Sequence, residues 1–257
     1  MSTSATSRPQ RRRIPLRDVT LPHVCPWPIR KRALERAPYF QGLSDVDLER
    51  IDSRMQATSW TEGASLFHAG EPADALFVVA EGRVKLSAVT VNGTETIADI
   101  LTPGELFGAM STVGEPRHHH TATAMVGSCA LRIDQAAFRE VLSEHPVVAL
   151  RVLDDVATRL SRAHADVGGQ SSDTVATRVA IALLRLADKV GTVQRDGSVL
   201  IEVPLSRADL AGLARSTPES VSRVMSAWRG EGIIDSGRRW TAIRDRGALE
   251  AIATSAQ

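Results

Sequence analysis

Between residues 205 and 235, LSRADLAGLARSTPESVSRVMSAWRGEGIID, polar side chains fall where they can read the edges of bases. Arg223 can donate a bidentate pair to guanine O6 and N7, Glu219 can accept from a cytosine amine, and Ser222 can serve either base edge. That chemistry needs an element that fits a major groove, and the local signals predict a helix-turn-helix. Ser206 is an N-cap with Asp209 in the capping-box position, and Leu210 and Leu213 follow at helical spacing. Pro218 disfavours helix at Thr217 but suits the first turn of a second helix, which Thr217 caps and Glu219 favours through the dipole. Val221, Val224, Met225 and Trp228 form its apolar stripe, and Glu219, Ser222 and Arg223 lie off it. Ser206, Arg207, Thr217 and Ser220, at the two helix starts, complete the candidate contacts. Two strand fragments around Gly237-Arg238-Arg239 predict a β-wing, whose tip arginines suit phosphate oxygens and read no sequence. The competing reading is a helical hairpin that only packs.

The elements that must hold this segment come before it. The chain of 257 residues is long enough for two modest domains with real cores, and 43% apolar residues is ordinary for a globular protein. A net charge of +1 excludes a polycationic architectural protein, so nucleic-acid binding must come from local basic patches. Two cysteines, Cys25 and Cys129, make no disulfide framework, which fits a reducing cytoplasm. No apolar run approaches the roughly 20 residues that cross a bilayer. The first residues are basic with no apolar core after them, so no secretory signal is expected. No phosphate loop, nucleophile elbow or metalloprotease spacing is present, so no enzyme is expected.

Residues 1–33 hold eight Arg or Lys and one acid, and are expected to be a flexible basic tail. From 34 to 145, short strand-like pieces alternate with glycine-bearing turns, the pattern of an antiparallel sandwich or barrel. Ser44, with Asp47 three residues on, starts a helix before them. A long helix, expected over 146–170, carries Ala149, Leu153, Val156, Leu160, Ala163 and Val167 at alternating spacings of four and three. That is the seam of a two-stranded coiled coil, so a homodimer is expected, with packing inside the chain as the alternative. Gly168-Gly169 and Ser171-Ser172 mark a hinge. Residues 171–257 then form the DNA-binding unit.

This order of parts resembles the cAMP receptor protein/fumarate-nitrate reduction regulator (CRP/FNR) family over about residues 38–250. GASLFHAGEPADALFVVAEGRVKL is similar to the family's first half-barrel, LTPGELFGAM to the segment entering its effector pocket, and LSRADLAGLARSTPESVSRVM to its DNA-reading hairpin. The resemblance implies an α+β fold: an N-terminal antiparallel β-roll of jelly-roll, cyclic-nucleotide-binding type, a dimerisation helix and a C-terminal winged helix-turn-helix. It implies a homodimeric transcription factor in which effector binding reorients the DNA-binding domains, with RNA polymerase as a partner if it activates. Pro218-Glu219-Ser220-Val221-Ser222-Arg223 carries the Glu-x-x-Ser-Arg pattern of the FNR-like branch, which implies an inverted repeat close to TTGAT-N4-ATCAA.

Departures from the family bear on the effector. Laid onto this chain, the cAMP-binding positions hold Ala109, His119, His120, Ala163 and His164, so the usual carboxylate and arginine are missing and cAMP is not expected. A four-cysteine iron–sulfur cluster is excluded within one subunit by count. Cys129 is expected in the core, and Cys25 is expected to have access to solvent. Gly108, Ala109, Met110, Ala163 and the histidines His118, His119, His120 and His164 are expected to line a modified pocket for haem, a metal or a small anion. The alternatives are a solvated loop with exposed imidazoles, an effector-independent dimer, or a ligand-sensing module whose main output is sensing.

Overall fold

The computed structural model describes residues 25–89, 95–109, 116–168, 174–237 and 239–254, without the side chains of 159–160 and 162–168. Helix α1 (Trp27–Arg36) opens the described chain with a proline in its first turn. A 3-10 turn (Pro38–Phe40) and α2 (Asp45–Ser53) follow, and Ser44 caps α2 by accepting from the Asp47 amide at 3.2 Å. Residues 27–33, expected in the tail, therefore belong to α1, because Ala33 and Leu34 find an apolar surface to bury against. Cys25 is a correction too. It is 6% exposed and packs in the same cluster as Cys129, the two thiols in hydrogen-bonding contact. That contact and burial push the Cys25 thiol well up.

Among the described residues, eight strands of the N-terminal unit form two antiparallel sheets. One has the order β1-β8-β3-β6, from β1 (Met55–Trp60), β3 (Ala75–Glu81), β6 (Leu106–Phe107) and β8 (Ser128–Asp134). The other has the order β2-β7-β4-β5, from β2 (Ser65–Phe67), β4 (Val84–Val89), β5 (Glu95–Leu101) and β7 (Thr121–Ala124). Strand β3 shows why the first sheet is covered twice. Alternate residues point to opposite faces. Phe77 and Val79 therefore enter the core between the sheets, and Leu76 and Val78 meet the helices. The helical layer is α1, α2, α3 (Gln135–Glu144) and the start of α4 (Pro146–Gly168), supplying Leu34, Leu48, Ile51, Phe138, Val141 and Val148.

Helix α4 has two different faces. Val148 and Val152 are buried, and Arg151 and Asp155 bond to the Tyr39 segment through Tyr39 O and the Tyr39 hydroxyl. On the other side Val147, Leu150, Leu153 and Val156 are exposed. Of the expected seam, Leu153 and Val156 thus point away from the domain and Ala149 is half-buried. The side chains of Leu160, Ala163 and Val167 lie outside the described residues.

The C-terminal unit has α5 (Val175–Val190), α6 (Arg207–Leu213), α7 (Pro218–Gly230) and α8 (Arg246–Thr254). Its sheet has the order β11-β12-β10-β9, from β9 (Gly191–Val193), β10 (Val199–Ile201), β11 (Ile234–Ser236) and β12 (Thr241–Ile243). Its core runs on into the β-roll. Ile97, Ile100 and Met125 are buried with Leu183, Leu210, Ala211, Val221 and Met225 in one cluster. Helix α6 lies on β5 closely enough that a Cβ on Gly212 would stand 2.5 Å from the Ile97 amide nitrogen. No helix among the described residues is long and apolar enough to cross a membrane.

Gly212 yields a prediction of unusual sign. Gly→Ala inside a helix normally stabilises by about 1 kcal/mol. Gly212→Ala should instead destabilise, because the β5 backbone cannot give way. Hydrogen exchange is expected to show lost protection in 95–101, and a thermal scan a lower or split transition.

Candidate nucleic-acid interface

The helix-turn-helix forms as its caps dictate. The Ser206 side chain accepts from the Asp209 amide at 3.0 Å and the Asp209 carboxylate accepts from the Ser206 amide at 2.8 Å, a complete capping box. Thr217 caps α7 by accepting from the Ser220 amide at 3.3 Å, with Pro218 as the first helical residue. The turn between them is tight. Arg215 takes φ +46°, a left-handed value few non-glycine residues adopt, and the Arg178 Nε donates to Ala214 O at 2.9 Å to hold it.

Val221, Met225 and Trp228 are buried, and that stripe turns the opposite face of α7 outward. Glu219 and Arg223, four residues apart and so neighbours on one face, are both exposed, and Ser222 is half-buried beside them. Arg223 Nη2 donates to Ser220 Oγ at 3.2 Å, and Thr217 Oγ1 donates to the same oxygen at 3.1 Å. The arginine is thus tied to the cap at the helix start, where the dipole is positive. Burial, and secondarily the charge of Arg229, lower the Arg207 pKa. Ser226 and Arg229 are also exposed on α7, beyond the candidate contacts named from the sequence. Ser226 lies three residues on from Arg223 and seven from Glu219, on the same outward face.

The wing forms between β11 and β12. Gly237 donates to Trp240 O at 2.9 Å, and a Cβ there would collide with the Trp240 indole at 2.4 Å, so this turn needs its glycine. Arg239 does not reach into open solvent. Its Nη1 and Nη2 donate to Glu62 Oε1 and Oε2 at 3.2 and 3.0 Å, across to the turn before β2. Arg238 lies outside the described residues.

The histidine run does not converge on one pocket. His118 is 4% exposed and stacked on Phe67, ring centroids 3.7 Å apart, as the fourth ring of a cluster with Phe77 and Phe107. Its Nδ1 accepts from the Ala109 amide at 3.3 Å. His119 is exposed, and His120 lines a crevice of about 430 Å³ between β5 and the α6–α7 turn, beside Glu95, Gly212, Arg215 and Pro218. The three rings thus stand in three different surroundings: the aromatic core, solvent and the crevice against α6. Among the described residues no group of three or more side chains could hold a metal. Met110 and the side chains of Ala163 and His164 lie outside them.

Gly108 and Ala109 are placed firmly. Gly108 has φ +106° and packs against Ala75 O, where a Cβ would come to 3.2 Å. Ala109 is held on both sides, its amide by His118 and its carbonyl by Gln135 Nε2 at 2.8 Å from the start of α3. Arg117 sits immediately before the run. Its backbone bridges to Pro72 and its Nη1 donates to Gly70 O at 2.6 Å, so a guanidinium does stand in this turn.

A β-roll followed by a long helix and a winged helix-turn-helix defines the class of DNA-binding regulators. Comparison with known proteins agrees. Residues 57–145 match the cyclic nucleotide-binding domain family and residues 177–252 the Crp-like helix-turn-helix domain family. The cyclic AMP receptor protein of Thermus thermophilus is 30% identical over 220 residues, 86% of this chain and 98% of that protein. A CRP-like cAMP-activated global transcriptional regulator of Mycobacterium tuberculosis is 27% identical over 201 residues, 78% of this chain and 89% of that protein. The structure of FixK2 from Bradyrhizobium japonicum superposes with a TM-score of 0.69 at 23% identity, covering 79% and 99% of the two chains, a likeness of fold. The chain belongs to the CRP/FNR family of transcriptional regulators.

His118 carries a pH dependence. Burial lowers its pKa from 6.5, against the pull of Asp74 and Glu71 and with the help of His119. The fold therefore binds the neutral ring, and the unfolded chain takes up the proton first as pH falls. Stability from this group is complete above about pH 6.5 and declines below it. His118→Phe keeps the stack and removes the proton. Its denaturation midpoint should fall less between pH 7.5 and 5.5 than that of the parent, as chemical unfolding at each pH will show.

Proposed function

We propose that the protein is a homodimeric regulator that inserts α7 into successive major grooves of an inverted repeat close to TTGAT-N4-ATCAA. The observation that carries this is the outward face of α7: the buried stripe of Val221, Met225 and Trp228 leaves Glu219 and Arg223 together in solvent at the helix start. Arg223 donates to guanine, Glu219 accepts from cytosine, and the wing and Arg207 hold phosphates. Two-fold symmetry comes from α4. Val147, Leu150, Leu153 and Val156 are too apolar to stay exposed along one helix side, and a second copy covers them. The work is done where the DNA lies, in the cytoplasm. An activator of this kind also touches RNA polymerase.

The effector is other than cAMP held in the manner its relatives' names suggest. Ala109 offers no carboxylate to a ribose, and His118 is committed to the Phe67 stack. Arg117 remains as a guanidinium for a small anion. With the three rings of 118–120 facing different ways, no joint haem or metal role is proposed for them.

A fluorescence-anisotropy titration tests the reading. Replacing one G·C pair per half-site should weaken binding by about 1–3 kcal/mol per lost contact. Arg223→Ala should weaken binding to the intact repeat and erase that discrimination. Leu153→Glu should shift the protein toward monomer in sedimentation and cost affinity for the two-sided site. Equal affinity for both duplexes would remove Arg223 and Glu219 as readers.

A further inference from the structure

The wing arginine is already occupied. Arg239 and Glu62, 177 residues apart, meet through two parallel N–H···O contacts of 3.2 and 3.0 Å, the fork-to-fork geometry a guanidinium also uses on phosphate. Both side chains stay partly open, 32% and 38% exposed, so the pair sits on the rim where it can exchange partners. Neither end can drift far. Gly237 and Trp240 tighten the wing turn, and the turn carrying Glu62 is pinned by the Gly63 amide on Ala124 O at 2.8 Å. With both Nη groups engaged by one carboxylate, Arg239 cannot fork onto a phosphate at the same time.

Two lysines make three more ion pairs across the same boundary. Lys189, at the end of α5, sits between Asp99 at 3.0 Å and Glu105 at 2.9 Å of the β-roll. Lys85 of β4 joins Glu95 and the α6 cap residue Asp209. In the first, as at Glu62, the acid belongs to the sensor and the cation to the DNA-binding unit.

We propose that Glu62 is an internal competitor for a DNA phosphate: it holds Arg239 in the docked arrangement, and duplex binding exchanges the carboxylate for the backbone. This rests on the DNA-binding reading above. The sensor domain then sets the affinity of the wing directly, through one ion pair, in addition to any motion of whole domains.

The test measures binding of the full chain to the inverted repeat and to an unrelated duplex at one fixed salt concentration. Glu62→Gln should tighten binding to both duplexes by the same factor, because phosphates carry no sequence. A rim ion pair sets its size at roughly two- to five-fold. Glu62→Lys, which repels Arg239, should give at least as much. In an Arg239→Ala background, Glu62→Gln should change nothing. Unchanged affinity for Glu62→Gln and Glu62→Lys, or a gain that survives Arg239→Ala, overturns the proposal. Parent protein that binds neither duplex defeats instead the DNA-binding reading on which it stands.

Discussion

Strand β5 is apolar on both sides, and much else follows from that. Leu101 faces the core between the two sheets of the β-roll, and Ile97 and Ile100 belong to the core of the DNA-binding unit. Fully burying such a side chain is worth about 1.5–3 kcal/mol. A strand with water on its second face would leave that apolar surface exposed. Helix α6 supplies the cover, and Gly212 lets it approach to backbone contact. The two halves of the molecule therefore share a core instead of being beads on a linker.

That sharing gives a physical route from the β-roll to the helix-turn-helix. The loop of Gly108 and Ala109 is fixed by His118 from one side and by Gln135 from the other. Gln135 begins α3, which leads into α4. The turn before β7 carries His118, and β7 pairs with β4, which pairs with β5. A change at Ala109 is thus one hydrogen bond from the helical layer and two strands from the α6 contact. Packed cores shift between discrete arrangements more readily than they stretch, so small displacements at the loop can be passed on as a change in docking.

Electrostatics at the boundary works with this packing. The ion pairs lie at the rim of an apolar contact, where each is weak alone and screened by salt. Apolar burial supplies the adhesion. The charges join specific residues of the two units at its edge. Arg223 is outside the boundary and exposed, and Arg239 lies at its rim, partly open and paired with Glu62.

The helix-turn-helix, its caps, the half-barrel glycines and the long helix were legible in the chain itself, because each rests on contacts a few residues apart. Ser206 with Asp209, Thr217 with Pro218, and the stripe of Val221, Met225 and Trp228 need no distant partner to be recognised. Tertiary structure decided the rest. Cys25 is buried because α1 docks on the β-roll, His118 is a core ring because Phe67 lies beneath it, and Arg239 is paired because Glu62 arrives from 177 residues away. Side-chain type and local spacing fix what a residue can bond to. Only the fold fixes which partner is within reach and how much water is left around it.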